Sequence, residues 1–436
     1  MKSHQINVGI IGLGTVGTGV ARILLEQKDL LKTRSALDFN LKTIVELNWD
    51  IDRDLDLAGV TCTKDANDLL EDPDINIVVE TIGGYEPAYT FITKALKNRK
   101  YVVTANKALL AHKGVELYKI AHEHGVDILF EASVGGGIPI IKSMREALVS
   151  NKFKNIYGIL NGTSNYILTK MHKEGLDFSE ALKGAQENGF AEADPTLDIN
   201  GMDAAHKLTI LSSIAANSPV SLNNLYIEGI ESITRLDIHF AKTFGFTIKL
   251  LAIYKDREDG LDLRVHPTLI DESHLLANVN NELNAIFVTG DFVGNTMFYG
   301  PGAGERPTAS AIVGDIVDIS RDLLLREGAK YPNRAITLTE KINLVSINNV
   351  KNRFYLRFLT KDMPGVLSDI AGVLGDHDIS ISSMVQPENE GKDGFVPIVL
   401  LTHEALESQM QQAIEKILKF DFVKKDYLRL RIFNGQ

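Results

Sequence analysis

One cysteine, Cys62, stands in 436 residues. A lone thiol excludes an internal disulfide and fits a reducing compartment. It has no histidine close to it in sequence, so it lacks the partner that activates a thiolate nucleophile. Long apolar runs are missing as well: none reaches the roughly 18 residues that a membrane span needs. The apolar N-terminus is broken by glycines, and no signal-peptide cleavage pattern follows. No basic stripe offsets a net charge of −11, which argues against nucleic acid or an anionic membrane as the main partner. The clustered histidines and cysteines of a transition-metal site are absent. So are internal repeats and low-complexity tracts. What remains is 44% hydrophobic and 24% charged, the balance of soluble globular domains. The length allows two or three of them. The expectation is a cytoplasmic protein with no nucleic-acid or membrane partner.

From residue 6 to about 130, short apolar runs at 6–11, 41–47, 75–80, 101–104 and 126–130 alternate with helix-period stretches at 16–27, 87–98 and 114–124. Strands joined by helical crossovers pair in parallel, so the N-terminal part is expected to be a Rossmann-type doubly wound sheet. The rhythm changes after Gly135. Residues 138–217 read as mostly helical, with one strand near 153–160. Strand-like runs at 248–254, 261–267, 285–289 and 292–299 then follow one another through turns. This predicts a mainly antiparallel sheet in an α+β domain with one helical face. The loop Gly300-Pro301-Gly302-Ala303-Gly304 opens a helix at 308–326, and a polar stretch at 326–352 reads as a linker. Beyond it, strand, helix, strand, strand, helix and strand fit 354–360, 365–376, 380–386, 395–401, 404–419 and 424–432. That order is a split βαβ, ferredoxin-like module.

Gly12-Leu13-Gly14-Thr15-Val16-Gly17 lies between the first strand and the first helix. The first glycine makes the tight turn, the second lets backbone approach a pyrophosphate, and the third permits close packing of helix on strand. Such a motif alone is weak; its position makes dinucleotide binding the reading. The cofactor is NADP or NAD. Glu46, Asp50 and Arg53 share one short segment, and an acid there holds ribose hydroxyls whereas an arginine accepts a 2′-phosphate. Lys107 follows the strand ending at Thr104, at the carboxyl edge where such sheets bind ligands. Its ammonium can meet a cofactor phosphate or a substrate carboxylate, or be merely solvated.

Asn161-Gly162-Thr163-Ser164-Asn165-Tyr166 follows a strand and precedes a helix. Its hydroxyls and N-terminal amides could receive a carboxylate, although by itself the segment is a good helix cap. Glu192, Asp194 and Asp198 form an acidic loop suited to a substrate ammonium or to a divalent metal. Asp203 and Lys207 lie four residues apart, on one face of the next helix. Standing alone they would be an ordinary surface ion pair. Together with the nucleotide turn and the acidic loop, they point to a dehydrogenase that holds an amino-bearing substrate and moves a proton with a lysine.

With these residues in view, the chain resembles the homoserine dehydrogenases that carry a C-terminal ACT domain. The resemblance runs over essentially the whole length and rests on residues 12–17, 80–84, 104–107, 131–139, 161–166, 189–195, 200–207 and 300–304. It implies NADPH- or NADH-dependent reduction of L-aspartate 4-semialdehyde to L-homoserine, on the route to threonine, isoleucine and methionine. It assigns Lys207 as proton donor and Asp203 as the neighbouring acid that positions this chemistry. Glu192 would bind the substrate amino group with help from Asp198, and Thr163 joins this substrate set. Leu13, Thr15, Val16, Lys107, Gly189 and Gly304 fall where the family contacts its cofactor; Gly12, Gly14, Gly17, Arg53 and Thr81 complete that set. Glu131 with the backbone oxygens of Val134, Gly136 and Ile138 resembles a monovalent-cation site suited to sodium.

The loop from Lys361 to Leu367 resembles the ACT ligand loop, so Asp362, Pro364, Gly365 and Val366 are expected to hold an amino-acid effector, with threonine the expected inhibitor. The implied division is a dinucleotide-binding domain at 1–135, rejoined by the helix near 305–326, then a substrate-binding and dimerisation domain at 136–304. A linker at 327–351 and the ACT domain at 352–436 follow. Assembly as a homodimer or homotetramer is expected. Phe190 stands where the family often has tyrosine, so any hydrogen bond from that ring hydroxyl is lost.

Overall fold

The computed structural model describes residues 5–325, 342–387 and 394–435. Two compact units emerge. The first comprises Met1–Phe153, His206–Asn224 and Asn284–Ile342, the second Lys154–Ala205, Leu225–Leu283 and Asn343–Gln436. Compactness therefore groups the chain differently from its order in sequence.

In the first unit, β1 (Gln5–Ile11), β2 (Asp38–Val45), β3 (Thr61–Thr63), β4 (Ile77–Glu80), β5 (Tyr101–Thr104) and β6 (Ile128–Leu129) form one parallel sheet. Their spatial order is 3-2-1-4-5-6. The strand order reverses at β1, which opens a crevice at the carboxyl ends of the strands. Ile77, Val78 and Val79 in β4 and Val102 and Val103 in β5 are all buried, as continuous apolar runs must be in a sheet covered on both faces. Such runs make these strands readable. The edge strand β3 was not foreseen because its residues are exposed or half-buried and carry no apolar signal. Helix Lys28–Ser35 buries nothing and likewise leaves no stripe in the sequence. Helix Lys107–His124 starts well before the expected residue 114 because Asn106 caps it, its Oδ1 accepting Leu109 N at 3.1 Å. The hairpin of strands Leu283–Gly290 and Gly294–Pro301 leads to helix Glu305–Leu325. That helix packs on helix Thr15–Glu26 at Gly19, where a Cβ would lie 2.8 Å from Glu305 Cγ and 2.9 Å from Ala309 Cβ.

In the second unit the strands run in the order Phe153–Ile159, Phe246–Arg257, Gly260–Asp271, Val423–Ile432, Lys351–Lys361, Phe395–Thr402 and Ile381–Val385. The first three pair antiparallel. The ferredoxin-like module, with helices Val366–Asp376 and Glu407–Ile417, has its own core of Phe354, Leu356, Ile370, Ile398, Met410 and Ile414. Its last strand also pairs in parallel with Gly260–Asp271, Thr268 opposite Arg431 and Leu269 opposite Ile432. The module thus shares a sheet with the strands before it, which its own periodicity does not reveal. The expected linker lies outside the described residues as far as 341; beyond that, Asn343 O accepts Leu261 N and Leu261 O accepts Val345 N, both at 2.8 Å. Among the described residues no helix is long and apolar enough to cross a membrane.

Candidate active site

The turn after β1 shows why its glycines are glycines. Gly12 has φ +96, in the left-handed region. A Cβ on Gly17 would stand 2.0 Å from Gly12 O, whereas Gly14 has nothing within 4 Å. Gly12 and Gly17 have no room for a side chain; Gly14 faces open space at the start of helix Thr15–Glu26. An open cradle of backbone at a positive helix end fits a pyrophosphate. Thr81 locks the turn, its hydroxyl donating to Gly12 O at 2.7 Å. Leu13 has its side chain buried, and its backbone is held from both sides. Its N–H donates to Glu46 Oε2 at 2.7 Å and its carbonyl accepts Arg53 Nε at 2.6 Å. The Arg53 guanidinium also donates to the carbonyls of Ile51 and Asn48, at 2.9 and 3.0 Å. Burial pushes the Glu46 carboxyl up, but the N–H groups of Asn48 and Leu13 and the Arg53 charge outweigh it and leave the pKa lowered. Of the three side chains that sequence offered as selectors between NAD and NADP, Glu46 and Arg53 are therefore fastened to the phosphate turn.

At the ends of β4 and β5, two residues quoted only as parts of motifs prove to be the supports. The fully buried Glu80 accepts the Thr104 hydroxyl at 2.6 Å and the Ile82 and Gly83 N–H groups at 2.9 Å. Burial raises its pKa against the pull of these bonds. Asn106 donates to Gly84 O at 2.7 Å while capping the helix that Lys107 begins. The available signal was a polar residue closing an otherwise apolar strand. Gly304 has φ +115, and its carbonyl accepts Thr308 N at the start of helix Glu305–Leu325.

The acidic loop belongs to the second unit, and its three carboxylates do different things. At the start of helix Thr196–Ile199, Asp194 Oδ1 accepts both the N–H and the hydroxyl of Thr196, which lowers the Asp194 pKa. Glu192 is exposed. Asp198 Oδ1 accepts Asn161 Nδ2 at 2.7 Å, and the same amide nitrogen donates to Asp203 Oδ2 at 2.8 Å. Asn161 Oδ1 meanwhile accepts Ser164 N at 2.7 Å and caps helix Gly162–Glu174. One amide therefore binds two of the expected substrate carboxylates to a helix start. The Thr163 hydroxyl donates to Phe190 O, so it holds the loop. Gly189 takes φ +74, and the Phe190 ring packs on Tyr166 at 5.1 Å between centroids. Asp203 and Lys207 share helix Met202–Ala215 and are 5% and 6% exposed, too buried for a surface ion pair. No grouping of three His, Cys, Asp or Glu suited to a metal exists among the described residues, so the divalent-metal alternative finds no support there.

Helix Gly162–Glu174 is itself stapled to the 279–283 segment. Asn165 Nδ2 donates to the carbonyls of Val279, Asn281 and Leu283, and Lys249 Nζ donates to Asn165 Oδ1 at 3.0 Å. Lys249 is 1% exposed, and burial, with Lys173 nearby, brings its pKa down to about 7. The unfolded chain therefore binds the extra proton between about pH 7 and the ordinary lysine value of 10.5, and this group's contribution to stability rises with pH across that window. Lys249→Met lacks the term. The melting temperature of the native protein is expected to gain on that of the variant between pH ~7 and ~9.5, and parallel curves would contradict it.

The glycine loop after Glu131 is closely packed. A Cβ on Gly136 would stand 2.6 Å from Gly302 O, so at this point the loop meets the 300–304 loop backbone to backbone. The Glu131 carboxylate accepts Ile141 N at 2.9 Å and Lys142 N at 2.7 Å, and burial raises its pKa to about 7. Ile138 O accepts Ile140 N at 2.8 Å. Each of these oxygens accepts one hydrogen bond and keeps a second lone pair, so the bonds are compatible with the cation site that the resemblance implied. In the carboxyl-terminal module, Gly365 has φ +94 and begins helix Val366–Asp376. Asp362, Pro364 and Gly365 are exposed, while Val366 packs in the core.

A 3-2-1-4-5-6 sheet with a backbone phosphate cradle, in one chain with a buried aspartate and lysine on a helix, defines a pyridine-nucleotide-dependent oxidoreductase. Sequence models of the NAD binding domain of homoserine dehydrogenase match residues 12–131, of homoserine dehydrogenase residues 139–317, and of the ACT domain residues 354–419. The chain belongs to the homoserine dehydrogenase family. Homoserine dehydrogenase of Pseudomonas aeruginosa is 41% identical over 429 residues, 98% of each chain. The crystal structure of a homoserine dehydrogenase from Thiobacillus denitrificans superposes with a TM-score of 0.93 at 44% identity, covering 99% of both chains. A hyperthermophilic archaeal homoserine dehydrogenase in complex with NADPH is 27% identical with a TM-score of 0.62, over 76% of this chain and 99% of its own.

Proposed function

We propose that this chain reduces L-aspartate 4-semialdehyde to L-homoserine, and runs the reverse reaction in excess homoserine, with Lys207 as the proton-donating group. The observation that carries this reading is the burial of Asp203 and Lys207 on one helix, with Asp203 bound through Asn161 to Asp198. A dinucleotide, when bound, supplies the hydride; the archaeal relative that holds NADPH favours NADP, and NAD is the alternative. As charge develops on the aldehyde oxygen, the Lys207 ammonium stabilises it and then protonates it. Asp203 orients that lysine. Glu192 and Asp198 receive the substrate's ammonium, with Thr163 holding the loop just before Glu192 at Phe190. Leu13, Thr15, Val16, Arg53, Thr81, Lys107, Gly189 and Gly304 form the nucleotide set around Gly12, Gly14 and Gly17. Residues 1–135 with the helix near 305–326 bind the dinucleotide, 136–304 bind substrate and dimerise, and 352–436 regulate. The exposed turn at Asp362, Pro364 and Gly365, with Val366, takes threonine as feedback effector of a cytoplasmic pathway to threonine, isoleucine and methionine.

Homoserine-dependent reduction of NADP and NAD at alkaline pH, followed at the nicotinamide absorbance with and without threonine, tests these statements together. Turnover that falls on adding threonine is expected. A rate indifferent to threonine removes the feedback claim, and silence with homoserine from protein that binds dinucleotide removes the substrate.

A further inference from the structure

Arg431 lies in the last strand of the carboxyl-terminal module and is 1% exposed. Its Nε and Nη2 grip Glu407 of the same module at 2.6 and 3.2 Å. Its Nη1 leaves the module and donates to Glu228 Oε2 at 2.6 Å. Tyr226 completes the cluster: its hydroxyl donates to Glu228 Oε2 at 2.8 Å and accepts Arg431 Nη2 at 3.0 Å. Glu228 follows the short strand Tyr226–Ile227, which pairs with Gly260–Asp271, and Glu228 N donates to Val265 O at 2.8 Å. The two residues after Glu228 press on the helix of the acidic loop. Ile230 N donates to Ile199 O at 2.8 Å. Gly229 leaves no slack, since a Cβ there would stand 2.3 Å from Ile199 O and 2.6 Å from Asn200 Cα. Ile199 adjoins Asp198, the carboxylate that Asn161 ties to Asp203.

We propose that Arg431 and Glu228 are positioning residues for the substrate carboxylates, so that the carboxyl-terminal module is a structural part of the substrate subsite and not an appendage that only senses an effector. The inference deepens the proposed function and rests on its assignment of Asp198 and Asp203 to substrate. The physical ground is stiffness. A guanidinium that bonds carboxylates on two elements fixes their separation in both distance and plane. Close-packed backbone passes a displacement on, because a packed contact moves in discrete steps and does not deform smoothly. Moving the 423–432 strand therefore moves Glu228, then Ile199, then Asp198. An effector bound to the module has by this route a mechanical hold on substrate affinity.

The test uses the full chain and three variants: Glu228→Ala, Glu228→Gln and Tyr226→Phe. Initial rates give kcat and separate KM values for homoserine and for the dinucleotide. Glu228→Ala is expected to raise the homoserine KM ~10-fold, with kcat and the dinucleotide KM within ~2-fold of the native enzyme. Glu228→Gln keeps an acceptor for Arg431 and Tyr226 and should restore most of that loss. Tyr226→Phe removes one of the bonds that hold Glu228 and should raise the same KM ~2- to 3-fold. A homoserine KM unchanged in Glu228→Ala overturns the proposal. So does a loss shared equally by kcat and both KM values, which is what general loosening would give. Should Glu228→Ala give no soluble protein, Tyr226→Phe decides by the same split. Failure of the underlying reading would look different: the native chain itself would be inert with homoserine.

Discussion

Lys207→Ala is expected to lower kcat by ~10³-fold or more while leaving dinucleotide affinity within a few-fold of the native value. A side chain that is 6% exposed holds its charge where water screens weakly, so an oxyanion forming beside it loses most of its stabilisation when the ammonium goes. On the proposed assignment, the same substitution also removes the proton that completes the alcohol. Alanine is the best helix former and Lys207 lies inside helix Met202–Ala215, so the backbone is not endangered. Equilibrium dinucleotide binding by the purified variant checks the fold, and stopped-flow rates check the chemistry. Lys207→Arg divides the two roles, because arginine keeps the charge but does not release a proton near neutrality. It is expected to be slow, and less so than the alanine variant. Turnover comparable to the native enzyme in Lys207→Ala would sink the assignment.

The second large effect is expected from Asn161→Asp, a change of one amide nitrogen to oxygen. The Oδ1 that accepts Ser164 N at 2.7 Å is retained, so the cap on helix Gly162–Glu174 survives. The donor that stood 2.7 Å from Asp198 and 2.8 Å from Asp203 becomes a third carboxylate oxygen. Three acids then share one partly buried point, and like charges at hydrogen-bond distance cannot all stay ionised. At neutral pH the homoserine KM is expected to rise by ~10²-fold and the melting temperature to fall by several degrees. Carboxyls whose folded pKa is raised bind more protons folded than unfolded, so the variant is stabilised as pH falls and loses ground as pH rises. Its melting temperature should approach that of the native protein near pH ~5 and diverge above it. A homoserine KM within ~2-fold of native at neutral pH would show that this amide does not organise the substrate carboxylates.

Much of the architecture is legible in the chain because its causes are local. The β5 strand Tyr101–Thr104 is found where its apolar run predicts it, because a strand covered on both faces needs such a run. The six elements of the carboxyl-terminal module fall in the expected order, each bound by its own periodicity. Gly12 and Gly17 are dictated by steric needs a few residues away: φ +96 at one, and no room beside Gly12 O at the other. Elements without an apolar signal, β3 and helix Lys28–Ser35, were invisible for the complementary reason.

The sequence by itself determined the nucleotide turn, the alternating strands and helices around it, the carboxyl-terminal module and the polar residues from which a site is built. Which polar group meets which was decided only in three dimensions. Asn161 reaches Asp203 across 42 positions of chain, and Arg431 reaches Glu228 across 203. Of the three acids in the loop, Asp194 bonds its near neighbour Thr196, whereas tertiary contacts left Glu192 exposed and bound Asp198 to Asn161. They fastened Glu46 and Arg53 to Leu13, and turned Glu131 toward two backbone amides. Secondary structure repeats along the chain with a short period, so a local stretch of sequence contains it. A buried hydrogen bond has no period, and its partner is fixed by whichever distant segment the packed core brings within reach.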